Sequence, residues 1–75
     1  MAAVPVLRPR EVVGTFEKRG WRVVRHRGSH IILTKQGHFA TLSVPNHSEV
    51  ARGTLRSLIA KAGMTVEEFL KALDE

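Results

Sequence analysis

Gly28, Ser29 and His30 stand together in a stretch that also carries Arg22, Arg25 and Arg27, and that combination suits proton transfer at a phosphodiester. Imidazole has an ordinary pKa of about 6.5, so it both accepts and releases protons near neutrality. This is what is needed to draw the proton from a ribose 2′-hydroxyl as it attacks the adjacent phosphate. Guanidinium groups nearby offset the negative charge that grows on the phosphorus oxygens. A plainer reading stands beside this one, in which His30 is a strand-end histidine that only hydrogen-bonds the turn.

His47, in the segment Pro45-Asn46-His47-Ser48, is a second candidate acid or base, or a phosphate contact, and its plainer role is to shape the loop. Arg52-Gly53-Thr54-Leu55-Arg56 opens a periodic apolar segment. Exposed amides at a helix start attract anions, Gly53 permits close backbone approach, and Arg52 and Arg56 add charge one turn apart. Lys61 continues that helix, and Lys35, Gln36 and His38 extend the basic track, while a solvated basic face is the alternative. His26, His30, His38 and His47 show no HExxH-like spacing, and the chain has no cysteine, so neither a metal nor another cofactor is expected. A Walker loop and a GxSxG elbow are also missing. Trp21 is expected in the core, and with Phe39 as the other aromatic on the strands a stacking sheet of the RRM type is not expected.

At 75 residues the chain holds one small core and one domain over 1–75, which excludes multidomain enzymes. Twelve Lys and Arg against seven Asp and Glu give a net charge of +5. Residues 8–61 contain eleven of the basic side chains and only Glu11, Glu17 and Glu49 among the acids. Such a balance favours a polyanionic partner, nucleic acid ahead of membrane. No apolar run approaches the roughly 20 residues of a membrane span, and the N-terminal residues lack the charged and apolar regions of a signal peptide. The expectation is a soluble cytoplasmic protein, monomeric on its own.

The elements follow from punctuation. Pro9 suits a first helical turn, Val12, Val13 and Phe16 mark one apolar face, and Gly20 suits the C-terminal cap, predicting a helix over Pro9–Arg19. Strands are predicted at Trp21–His26, Ser29–Lys35 and His38–Val44, separated by turns at Arg27-Gly28 and Gln36-Gly37. An Arg27-Gly28 turn would set Arg25 opposite His30 and Val24 opposite Ile31. Ile31, Ile32 and Leu33 are all apolar, so the buried face stays open, and a one-residue bulge would reverse the assignment. Leu55, Leu58, Ile59 and Ala62 predict a helix over Arg52–Ala62, and Thr65 with Glu68 forms a capping box for a short third helix. Residues 1–7 read as a flexible arm.

Phe16-Glu17-Lys18-Arg19-Gly20-Trp21, Gly28-Ser29-His30, Val44-Pro45-Asn46-His47, Gly53-Thr54-Leu55-Arg56-Ser57-Leu58-Ile59 and Ala62-Gly63-Met64-Thr65 together resemble the HicA/YcfA family of toxins over about residues 8–73. The resemblance implies an α+β fold like that of double-stranded-RNA-binding domains, α-β-β-β-α, which agrees with the order of elements above, and two-layer packing at this length places the helices on one face of the three-stranded antiparallel sheet. It also implies a ribosome-independent mRNA interferase neutralised by a HicB-type antitoxin. The family's catalytic histidine falls on His30 and its Pro-x-His falls on Pro45 and His47, while Ser29 is expected to assist from beside His30. The chain departs from the family at Lys35-Gln36-Gly37-His38 and at Ala51-Arg52, which bears on RNA or partner preference. The expected RNA-binding set, from the charge pattern and the helix start together, is Arg22, Arg25, Arg27, Lys35, Arg52, Gly53, Thr54, Arg56 and Lys61. Two other readings remain open: an RNA-binding module that does not cut, and a degenerate toxin kept as an antitoxin-binding partner.

Overall fold

The computed structural model describes residues 3–75, arranged as α1 (Pro9–Glu17), β1 (Arg22–Arg27), β2 (His30–Thr34), β3 (Leu42–Pro45), α2 (Arg52–Lys61) and α3 (Val66–Leu73). The strands make one antiparallel sheet in the order β1-β2-β3, and the helices cover one face of it, an α+β arrangement like that of double-stranded-RNA-binding domains with a helix added at the C-terminus. α1 begins on Pro9, and the Arg8 N–H donates to Glu11 Oε1 at 2.9 Å. Its last turn closes when the Gly20 N–H donates to the Glu17 carbonyl and the Trp21 N–H donates to that of Phe16. Lys18 and Arg19 therefore belong to the capping turn, which shortens the helix relative to the Pro9–Arg19 expectation. α2 ends the same way, with Gly63 donating to Ala60 and Met64 to Ile59.

The first hairpin turns one residue later than expected. Arg27 pairs with His30, so the two loop residues are Gly28 and Ser29, and Gly28 has φ 58° while among the described residues none other than glycine has a positive φ. A glycine at the first central position is what a type II′ turn requires, and the right-handed twist of the strands favours that turn over the Arg27-Gly28 alternative. His26 consequently lies opposite Ile31 and Arg25 opposite Ile32, instead of opposite His30. A register shift between Val23 and Arg25 then leaves Val24 as an extra residue, after which Val23 pairs with Leu33 and Arg22 with Thr34.

That bulge sorts the faces. Ile31 and Leu33 join the core with Leu42 and Val44, their partners on β3 being Val44 and Leu42 respectively. His30, Ile32 and Thr34 point the other way, beside Pro45 and Ser43 on β3 and Arg27, Arg25 and Arg22 on β1. Without the extra residue Arg22 would fall on the helix side. β3 begins at Leu42, four residues later than expected, because the loop before it bends onto Trp21. The Ala40 N–H donates to His38 Nδ1 at 3.1 Å, the His38 ring centroid lies 5.0 Å from that of Trp21, and the Lys35 carbonyl accepts from the His38 N–H to close the turn.

Val12, Phe16, Trp21, Leu33, Leu42, Leu55, Ile59 and Phe69 fill the core and are almost fully buried. The expectation of a flexible arm over residues 1–7 does not hold for Val4 and Leu7. Both are buried in this core, the Leu7 carbonyl accepts from the Val50 N–H at 2.8 Å, and the Val4 carbonyl accepts from Arg52 Nε at 3.0 Å. Met1 and Ala2 lie outside the described residues. Apolar side chains at both ends of that segment, with hydrogen-bonded backbone between them and the approach to α2, explain why it packs.

α3 starts with the expected capping box: the Glu68 N–H donates to Thr65 Oγ1 at 3.0 Å and the Thr65 N–H donates to Glu68 Oε1 at 2.7 Å. The bond from the Thr65 backbone, then that with its side chain, holds the Glu68 carboxyl below its usual range. A depressed carboxylate stabilises the fold above its unfolded pKa, about 4.3, and that contribution is lost as the pH falls through the lower folded value. Thr65→Ala is expected to cost about 1 kcal/mol. Urea unfolding should show a deficit for Glu68→Ala at neutral pH that closes in acid; a deficit unchanged by pH would contradict this account.

Candidate active site

On the sheet face that the helices leave open, Arg25, Arg27, His30, Ile32, Thr41, Ser43 and Lys61 line a shallow hollow of about 470 Å³. His30 stands at the turn end, directly across from Arg27 on one side and Pro45 on the other. Ile32 is buried although it faces away from the core cluster, so the floor is apolar while the rim carries an imidazole, two guanidinium groups, a lysine and two hydroxyls. Cations around an apolar floor suit a phosphate and its ribose.

The second histidine reaches this neighbourhood through the backbone. Pro45 is the cross-strand partner of His30, and the Asn46 N–H donates to the Ser29 carbonyl at 2.6 Å. That bond ties the loop bearing His47 to the turn bearing Ser29 and His30, although neither Ser29 nor His47 lines the hollow itself. Both are exposed.

The remaining expected contacts divide. Arg22 shares the open face through its pairing with Thr34 but lies beyond the hollow's rim. Arg52, Gly53, Thr54 and Arg56 form the first turns of α2 and do not line the hollow, and Arg52 Nε is committed to the Val4 carbonyl. Lys35 borders a different depression of about 380 Å³, with Arg19, Ala62, Gly63, Met64, Glu68 and Lys71. There Arg19 makes a two-pronged bond to Glu75, at 2.9 and 2.6 Å, which raises the Arg19 pKa and lowers that of Glu75. Thr41 and Ser43 lie outside the sequence expectation, since it is the β2–β3 register that sets Ser43 opposite Ile32, and Thr41, just before β3, joins it at the hollow. Among the described residues no group of three or more His, Asp or Glu side chains comes together as a ligand set for a metal ion, and no helix is long and apolar enough to cross a membrane.

A family model described as "HicA toxin of bacterial toxin-antitoxin" matches residues 9–64, a span that holds α1, the whole sheet and α2. The chain belongs to the HicA toxin family. Neither a curated protein nor a solved structure matches it. Membership makes the HicA-family chain the toxin component of a toxin–antitoxin system, with an antitoxin as its implied partner. The matched span includes Ser29, His30 and His47 and every residue lining the hollow, whereas α3 follows it.

Proposed function

We propose that this HicA-family toxin is a ribosome-independent endoribonuclease acting on mRNA, with His30 as the catalytic residue and an antitoxin of the HicB type as its inhibitor. The observation that carries the reading is the register that sets His30 across from Arg27, beside Arg25, on the rim of an open basic hollow. His30 takes the proton from the 2′-hydroxyl as that oxygen bonds to the adjacent phosphorus, and the bond from phosphorus to the 5′-oxygen breaks. Arg25, Arg27 and Lys61 offset the charge on the non-bridging oxygens. Ser29 supports the turn that presents His30. His47 supplies the proton that the departing 5′-oxygen takes up, a role supported by the Asn46–Ser29 hydrogen bond holding its loop against the catalytic turn. The products are a 2′,3′-cyclic phosphate and a 5′-hydroxyl.

The basic residues at the start of α2, Arg52 to Arg56, serve RNA or antitoxin contact outside the reacting centre. Incubating 5′-labelled mRNA with the purified protein in EDTA and identifying the new ends tests the mechanism. Cyclic phosphate or 3′-phosphate ends are expected. Ends bearing a 3′-hydroxyl would refute 2′-hydroxyl attack while leaving a ribonuclease.

A further inference from the structure

Phe39 is 99% exposed, yet its ring does not hang loose from the loop. It lies against the His38 ring with centroids 5.4 Å apart and planes inclined by only 17°. His38 is itself fixed, by the Ala40 N–H bonded to its Nδ1 and by the Trp21 ring behind it, and Trp21 is buried to 1% exposure. Three rings thus run from the core to solvent, and the outermost presents one face to whatever arrives.

The ladder stands at a divide between the two basic depressions. Thr41, two residues after Phe39, lines the hollow that contains His30, and two extended residues span at most about 7 Å. On the other side, a methyl group placed on Gly63 would lie 3.6 Å from His38 Nε2, and Gly63 lines the depression bordered by Lys35 and Lys71. Lys61 and Gly63, on either side of Ala62, likewise belong one to each depression.

We propose that Phe39, backed by His38, is a stacking platform for an unpaired base of the RNA whose backbone crosses from the His30 hollow toward Lys35 and Lys71. This inference rests on RNA being the substrate. A nucleobase fits better than an apolar protein side chain because the exposed residues that share this loop with Phe39, namely Gln36, Gly37 and Thr41, are small or polar. Among the described residues the other exposed large apolar side chains are Val6, Val23 and Val24, none of them on this loop. A protein anchor is ordinarily ringed by surface that excludes water, whereas a base needs one π-face and cations for its phosphates.

Affinity for a single-stranded RNA oligonucleotide, followed by fluorescence anisotropy in a His30→Ala background expected to cut it far more slowly, tests the platform. Adding Phe39→Ala is expected to weaken binding by roughly tenfold. Phe39→Leu should weaken it similarly and Phe39→Trp should restore it, with the salt dependence of binding unchanged because no cation is removed. Equal affinity of the Phe39→Ala and background proteins overturns the platform and leaves RNA as substrate. No RNA binding by the background protein overturns both. A loss of antitoxin binding in Phe39→Ala without a loss of RNA binding assigns the ring to the protein partner instead.

Discussion

His30→Ala is expected to lower the rate of RNA cleavage by about 10²–10⁴-fold, the range that a positioned acid or base supplies. RNA affinity should change by no more than about twofold, as for a surface substitution that removes no packed group. The separation follows from placement. His30 is exposed at the first position of β2, while its neighbours Ile31 and Leu33 face the core. Losing its side chain therefore leaves the fold intact, and circular dichroism spectra of variant and parent should superimpose. Arg25, Arg27 and Lys61 still surround the hollow and still attract phosphate. A variant that cuts as fast as the parent would remove His30 from the chemistry. If instead the parent binds RNA without cutting it, the chain is a binding module on the same fold.

The largest loss of stability is expected at Trp21. Its ring is buried, meets Phe16 edge-on with centroids 6.3 Å apart, and backs His38. Replacing a buried tryptophan by alanine costs about 3–5 kcal/mol, because the lost burial adds to the cavity left behind. A domain of this size has a total stability of only about 4–11 kcal/mol. Trp21→Ala should therefore lower the melting temperature by roughly tens of degrees and leave a fraction unfolded at 37 °C. Because Trp21 is the one tryptophan in the chain, far-UV circular dichroism and not intrinsic fluorescence is the suitable probe. A loss below about 1 kcal/mol would mean that the core closes over the gap more completely than such sites usually do. By mass action, antitoxin bound to the native state should recover part of the deficit.

The order of elements was legible because local rules mark their ends. Gly20 and Gly63 cap helices, and Thr65 with Glu68 starts one, through contacts that lie within a few residues of each other. The turn at Gly28-Ser29 was readable in principle, since glycine stands at the position that a type II′ turn demands, but Arg27-Gly28 satisfied the composition equally well. The buried face of β2 was not readable from Ile31, Ile32 and Leu33, all of them apolar. It depends on the extra residue at Val24 and on the alternation of Leu42 and Val44 in β3. Burial of Val4 and Leu7 depends on Val50 and Arg52, far along the chain, and carries no local periodicity.

The candidate site divides along the same line. His30, Arg25 and Arg27 were visible as a cluster because they flank one turn. Lys61, Thr41 and Ser43 meet them only after the sheet and α2 pack together. Arg52 was grouped with the phosphate contacts on charge, whereas its Nε spans back to the N-terminal segment. Charge is a property of composition, but which partner a guanidinium meets is decided by tertiary structure.

The extra residue at Val24 has a consequence for how copies of the chain behave toward one another. β1 is an edge strand with Val23 and Val24 exposed, the sort of border on which a second sheet readily builds. A bulge breaks the even row of donors and acceptors that such growth requires, and it turns Arg22, Arg25 and Arg27 to one side. A neighbouring copy aligned along that border would bring guanidinium against guanidinium. The irregularity that gathers charge for the open face thus also discourages edge-to-edge aggregation.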